Sequence, residues 1–452
     1  MTTNGQKPPP SYEYAPYSSV HRKIAFGSFA GQICDGYTLG IVGISLSYAV
    51  DSLGLNSFWM GACGAGSMLG ILVGSLIIGS ITDRIGRKKL FTMVMLLSIL
   101  LAVLQFFVTT PLQLAVLRFA LGLAIGADYT VGITLLSEWT PLKQRENTMS
   151  MLLVTWTVGY VIAYVVGFFM IDIGQTENGW RWVICTSAIP GVIALSFRIG
   201  SPESPVWLAS KKRFDEGAAV IRQYLGEGYV LPEMPTGQKS ASWFRLFSKE
   251  LRANTLVGGV FFACQVLPFY AVSIFLPLVL STLNIDNPYA SGVLYNAFTI
   301  IGVLVGLWLM SRVSRRAFLL WTFYGAAAIL TVMTVWQDMP GYLALFMLTA
   351  FSLVLAIAIV IEFIYPAELF PTEVRGSGVG FSIAVSRIGA ASGAFLLPIV
   401  NEHFGIYAAL GGCIAALLFG GIVCHLYAPE TSIRKTRQQE KAGSASVRVG
   451  SV

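Results

Sequence analysis

Four ionisable residues, Asp35, Arg118, Asp128 and Arg387, stand inside long apolar runs, and a fifth, Glu362, lies nearer the end of another. The clearest case is GSGVGFSIAVSRIGAASGAFLLPIV, residues 376–400, in which Arg387 is the one charge. A run of this length and composition reads as a membrane-spanning helix. A guanidinium near its centre costs about 2.5–3.5 kcal/mol on insertion scales, so its presence asks for a use. Three chemistries are available. A buried carboxylate can carry a proton, because an apolar medium favours the neutral acid. A guanidinium can grip a carboxylate through two parallel hydrogen bonds. Either charge can instead form a standing ion pair between helices. Asp35, in GQICDGYTLG, reads as a proton carrier, and Asp128 as a second titratable group or a structural tie. Arg387 reads as an anion grip or as the fixed partner of Asp35 or Asp128, which lie at comparable depth. Tyr37, Trp156, Tyr160 and Tyr164 add aromatic faces, the last three at the spacing of one helix face. Such faces suit a sugar ring or an aromatic acid, and they also suit plain packing.

The elements that must position these residues follow from composition. Of 452 residues, 55% are hydrophobic and 12% charged, with a mean hydropathy of +0.69. A soluble domain is nearer ~25% charged, so this is a polytopic membrane protein. Apolar runs predict twelve spans, near 24–48, 59–81, 90–109, 112–137, 147–171, 180–198, 253–281, 290–310, 317–335, 341–364, 376–400 and 404–427. The connections after the odd-numbered spans hold no Lys or Arg and carry Asp51, Asp172, Glu177, Asp286, Asp338 and Glu402. The opposite face gathers Arg22, Lys23, Arg84, Arg87, Lys88, Lys89, Lys143, Arg145, Arg312, Arg315, Arg316 and Arg375. The positive-inside rule then places both termini in the cytoplasm of a cell (inner or plasma) membrane. The net charge of +7 therefore follows topology and does not point to nucleic acid. Six scattered cysteines and three isolated histidines offer no metal-ligand spacing, and no Ser or Cys constellation suggests an enzyme. No cofactor is expected.

The two halves repeat. DRIGRK (83–88) faces SRVSRR (311–316), SEWTPLKQR (137–145) faces AELFPTEVR (367–375), and SPES (201–204) faces APET (428–431), at offsets of 228, 230 and 227. The expected fold is all-α: twelve transmembrane helices in two pseudo-symmetric six-helix bundles, residues 21–198 and 253–431. A polar segment, 1–20, is expected to be disordered, 199–252 to be a cytoplasmic linker with a short amphipathic helix in SKKRFDEGAAVIRQYLG, and 432–452 to be a tail. Parallel halves of this kind enclose a midplane site and work by rocking. The ridge Ala62, Gly66, Gly70, Gly74 suits close helix packing.

GSITDRIGRKK (79–89) resembles the loop motif of the major facilitator superfamily, and PESPVWL (202–208), EWTPLKQR (138–145) and ELFPTEVR (368–375) resemble its sugar-porter and metabolite branch. The resemblance covers about 21–431. It implies a gate in which Asp83, Arg84, Arg87 and Lys88 pair with Glu138 and Arg145, and Glu368 with Arg375, formed when the mouth closes; simple obedience to the positive-inside rule is the alternative. Proton-coupled sugar porters pair an acid in span 1 with an arginine matched by Arg118. Their acid falls at Thr38, and Asp35 stands one turn earlier on nearly the same face. GADYT around Asp128 resembles the GDYP of phosphate porters, but span 7, FFACQVLPFYAVSIFLP, lacks their Trp and Asp and is closer to the sugar-porter span. It offers Gln265 and Tyr270 as hydrogen-bonding groups. SRIGA resembles the span-11 segment of organic-anion porters whose arginine faces the cavity.

The resulting expectation is a monomeric secondary transporter, a proton symporter of a small carboxylate such as a sugar acid or aromatic acid. Asp35, Arg118 and Asp128 would couple protons. Arg387, Gln265, Tyr37, Trp156, Tyr160, Tyr270 and Glu362 would bind substrate. A neutral sugar or polyol porter is the alternative, with a phosphate porter and a non-transporting nutrient sensor behind it.

Overall fold

A computed structural model describes residues 10–431 apart from 175, 233–242, 284, 286, 363 and 372; at 80, 171 and 174 it describes the backbone alone. The expected tail 432–452, residues 1–9 and the loop acid Asp286 lie outside the described residues. Among those described, twelve helices are long and apolar enough to cross a membrane. In chain order, spans 1 to 6 are Ser19–Leu53, Ser57–Ile85, Arg87–Phe107, Pro111–Trp139, Leu142–Phe169 and Gly179–Arg198. Spans 7 to 12 are Arg252–Ile274, Pro288–Met310, Arg315–Val335, Gly341–Glu362, Arg375–Phe404 and Ile406–Tyr427. Contacts divide the chain into two compact units, one of residues 1–54 and 69–237, the other of 55–68 and 238–452.

Prolines set several helix breaks. Pro190 has no N–H for the Thr186 carbonyl, and span 6 is interrupted there, between helices Gly179–Cys185 and Ala188–Arg198. Pro366 likewise cannot serve the Glu362 carbonyl, and span 10 ends at Glu362. Span 7 carries Pro268 inside it and stops before Pro277, which opens the short helix Leu276–Thr282.

Small residues set the closest helix approaches. A methyl at Gly36 would lie 2.0 Å from the Trp156 carbonyl oxygen, so spans 1 and 5 meet backbone to backbone. Gly70 and Gly74 do the same for spans 2 and 4, each with 2.2 Å to a carbonyl of Phe119 or Leu123. In the second unit, Gly389 and Gly393 bring span 11 against the Ala263 and Leu267 carbonyls of span 7.

Where a disordered start is expected over 1–20, residues 11–18 are held on the first unit. Tyr12 is fully buried, its ring edge-on to Trp139 at 6.0 Å, and its hydroxyl donates to the Glu138 carbonyl at 2.5 Å. Ser11 forms a β-bridge with Val230 of the linker. Polarity predicts solvent exposure, but an aromatic with a hydroxyl at its tip can bury its ring and still find a partner. The predicted amphipathic helix forms as Phe214–Leu225, with Ile221 buried and Val220, Tyr224 and Leu225 packed on a core that includes Leu135, Leu136 and Trp139.

Candidate functional site

The first unit buries a charge cluster. Asp128, near the middle of span 4, is 1% exposed and is held by the guanidinium of Arg198 at the end of span 6, which is equally buried. Arg198 Nη2 donates to Asp128 Oδ2 at 2.8 Å and Nη1 donates to Oδ1, a bidentate pair. Two further donors go to main chain: Nε to the Gly27 carbonyl at 3.0 Å and Nη1 to that of Phe91 at 2.9 Å. The guanidinium also stacks 4.0 Å from the Phe91 ring centre. Span 1 makes room for it. A methyl at Gly31 would stand 1.7 Å from Arg198 Nη2 and 2.9 Å from Asp128 Oδ2. Of the two readings of Asp128, the structural tie is therefore present in this conformation, with a partner in its own unit instead of Arg387.

Asp35 lies one turn from Gly31 on the same face of span 1 and is 1% exposed. Neither of its oxygens accepts a hydrogen bond, and the charged groups acting on it are Asp128 and Arg198. The partnership with Arg118 implied by resemblance is not formed. Arg118, fully buried, donates to the main-chain oxygen of Thr38 at 3.3 Å, one turn further along span 1. The arginine thus reaches the position where sugar porters place their acid, and it meets a carbonyl there.

The aromatic candidates of this unit are packed. Trp156, Tyr160 and Tyr164 stack in sequence, centroids 5.5 and 6.3 Å apart, and Trp156 donates to the Tyr129 hydroxyl at 2.7 Å. Tyr37 donates to Thr186 at 2.8 Å, in the proline-induced break of span 6. Its hydroxyl ties two spans.

In the second unit Arg387 stands near the middle of the 30-residue span 11. Its Nη1 faces the Tyr270 hydroxyl of span 7 at 3.5 Å, and Glu362, at the end of span 10, is the acid whose electrostatic partner it is. Glu362 is 7% exposed, with Oε1 accepting no hydrogen bond. Gln265, also on span 7, donates to Thr322 at 3.2 Å, while its carbonyl oxygen accepts none. Arg387, Tyr270 and Glu362 are brought together; Gln265 bonds elsewhere, to span 9.

The basic-loop ends repeat one arrangement twice. Arg87 pairs with Glu138 at 3.3 Å and with Asp83 at 3.1 Å, while Glu203 accepts from the backbone N–H of Arg87 and Lys88 at 2.9 and 3.1 Å. In the second half Arg315 pairs with Glu368 at 3.2 Å, and Glu430 accepts from the backbone N–H of Arg315 and Arg316 at 3.0 and 3.3 Å. An acid at a helix N-terminus satisfies orphan donors and the helix dipole together. Two predicted pairings are corrected. Glu368 bonds Arg315 instead of Arg375, because Arg375 turns back to its own loop carbonyl at Phe370, 3.4 Å away. Arg145 does the same at Thr140 and pairs with Glu13 at 3.0 Å. The side chains of Arg84 and Lys88 are exposed.

The family model for sugar (and other) transporters matches residues 12–442. The chain belongs to that family. This transporter is 36% identical over 416 residues to the inner membrane metabolite transport protein YgcS of Escherichia coli, covering 92% of its own length and 93% of the relative's. It is 25% identical over 375 residues to the cis,cis-muconate transport protein of Acinetobacter baylyi, covering 82% and 85%. Its fold matches the partially occluded, inward-open xylose transporter XylE of E. coli with a TM-score of 0.77 at 16% identity, covering 92% and 99%. It is a multi-pass membrane metabolite transporter and not an enzyme. The residue of this transporter that sequence does not reveal is Arg198. At the end of span 6, next to a basic linker, it passes for one more topology-setting arginine. The available signal is the pair Gly27 and Gly31, one turn apart on span 1, which leaves a channel for a long side chain.

Proposed function

We propose that this transporter moves a small organic anion, a sugar acid, aromatic acid or similar carboxylate, in symport with protons. The observation that carries the reading is Arg387, a guanidinium midway along span 11 beside the Tyr270 hydroxyl. A planar fork flanked by a hydroxyl matches a carboxylate, and low local dielectric strengthens such a bond. Glu362 would compete with the substrate for the arginine and release it on binding. The relative named for cis,cis-muconate, a dicarboxylate, supports the same substrate class. Asp35, Arg118 and Asp128 are assigned to proton coupling. The loop pairs of Arg87 with Glu138 and Arg315 with Glu368, with Asp83, Arg84, Lys88, Arg145 and Arg375 around them, are assigned to gating. Both termini are placed in the cytoplasm, and the working unit is a monomer. A neutral sugar is the second reading, favoured by the Gln265 carbonyl oxygen that accepts no hydrogen bond and could take one from a sugar hydroxyl.

The test is thermal stability of the purified protein with cis,cis-muconate, benzoate, glucuronate, xylose and phosphate. A ligand that binds only the folded state at ~100-fold excess over Kd adds about 2.7 kcal/mol. Stabilisation by a carboxylate that disappears in Arg387→Ala is expected. Stabilisation by xylose, unchanged in that variant, would replace the reading with the sugar porter.

A further inference from the structure

Asp35, Asp128 and Arg198 bring two carboxylates and one guanidinium into a space closed to solvent, since each is at most 1% exposed. Both oxygens of Asp128 are taken by Arg198, two further donors of which go to the Gly27 and Phe91 carbonyls. Asp35 is left with no donor for either oxygen and with Asp128 as its nearest acidic neighbour. Among the described residues, the elements packed on span 1 bring these further groups. Span 5 presents the stack of Trp156, Tyr160 and Tyr164; span 4 adds Arg118, which is turned to the Thr38 carbonyl; span 6 adds Arg198 itself; Cys34 and Tyr37 lie on span 1. Two negative charges against one positive leave a net charge in a dry interior, which is costly. One proton makes the cluster neutral and turns one Asp35 oxygen from an acceptor without a donor into an O–H that can itself donate.

We infer that Asp35, Asp128 and Arg198 form one proton-binding site, in which two carboxylates share a single proton beside a fixed guanidinium seated over Gly31. Arg198 is a positioning residue here: its two parallel hydrogen bonds fix Asp128 against span 1, beside Asp35. Its use in transport rests on the proton-coupled reading above. Its existence does not, and the experiment separates the two.

The proton count is read by infrared difference spectroscopy at neutral pH, without substrate, on protein in phosphatidylethanolamine–phosphatidylglycerol vesicles. The carbonyl stretch of a protonated carboxylic acid is compared between wild type and variants. Asp35→Asn removes one such carbonyl, because the remaining Asp128–Arg198 pair is already neutral. Asp128→Asn removes one as well, because Asp35 then has Arg198 to itself and ionises. Arg198→Gln adds one, because two carboxylates without a cation need two protons. A band that survives in Asp128→Asn would show Asp35 acting alone and overturn the shared site. So would a spectrum unchanged by Asp35→Asn. The near-isosteric Asp-to-Asn changes carry the decision if Arg198→Gln does not fold. Cis,cis-muconate added to the same vesicles with a pH dye inside reads coupling: the expected band pattern without proton entry would keep the site and remove the symport reading.

Discussion

The two units share a frame and differ in their interiors. At the basic-loop ends the sequence repeat becomes a repeat of contacts. Arg87, Glu138 and Glu203 in one unit do what Arg315, Glu368 and Glu430 do in the other. Inside the membrane the correspondence stops. At the same offsets of 230 and 227, Asp128 faces Ala358 and Arg198 faces His425, while Arg387 faces Thr157. One unit therefore encloses an acid pair with a captive arginine, and the other sets an arginine beside a hydroxyl and an acid. Loops that hold helix ends need the same charges in both halves. Buried charges are costly wherever they serve no purpose, so each half keeps only those it uses. Under the proposed function, the division says where to look: protons in the first unit, substrate in the second.

The sharpest way to break that division is to disarm one side and read both functions. Arg387→Lys keeps the charge but loses the fork, so affinity for the carboxylate found in the ligand screen should fall by about 30-fold or more, the ~2 kcal/mol of a lost charge-assisted hydrogen bond. Its exchange should still speed up with proton supply. Asp35→Asn should do the reverse. Binding and exchange of labelled carboxylate across vesicles persist, while accumulation against a gradient is lost. If Arg387→Lys uncouples protons, or Asp35→Asn abolishes binding, the two roles are not divided between the units.

Much of this was legible in the chain because membrane rules are simple. Alternating loop charge, apolar run length and three matched motifs yield the twelve helices and the twofold frame, and the glycine ridge at Gly70 and Gly74 does pack span 2 on span 4. The intramembrane charges announce themselves by cost. What sequence does not reveal is pairing. Arg198 meets Asp128 in the space that the missing side chain of Gly31 leaves, and a glycine is too common a residue to announce it. Glu368 chose Arg315 over Arg375 because Arg375 is committed to a carbonyl five residues back, a local bond that competes with the longer one. Residues 11–18 read as polar filler, since a single buried tyrosine decides their fate.

A smaller effect tests the shared frame. Glu203 and Glu430 each accept from two backbone N–H groups at the start of a span, so Glu203→Ala and Glu430→Ala should each cost about 1–2 kcal/mol, as a lost helix cap does. Thermal melting of the two variants should therefore fall by similar amounts. A loss confined to Glu203→Ala would mean that Asp83, which has Ser311 as its counterpart, makes the first loop depend on a network that the second lacks.

The smallest effect belongs to the start of the chain, where residues 11–18 strap the first unit. The Glu13–Arg145 pair is about a quarter to a third exposed on both sides, so Glu13→Gln should cost only ~0.2–1 kcal/mol. Tyr12 is different. Burial, reinforced by Glu13 and Glu138, pushes its phenol well above the ordinary value, so the hydroxyl stays a donor to the Glu138 carbonyl at any working pH. Tyr12→Phe leaves that carbonyl without its side-chain donor and should loosen residues 11–18 more than Glu13→Gln does, a step of about 1 kcal/mol. Amide hydrogen exchange reads both. Faster exchange is expected at residues 11–18 and around Val230, to which Ser11 is bridged, with span 11 and the Arg375 loop unchanged. Equal acceleration around Arg375 would show that the strap steadies both units, and the contrast between them would then begin inside the membrane and not at its surface.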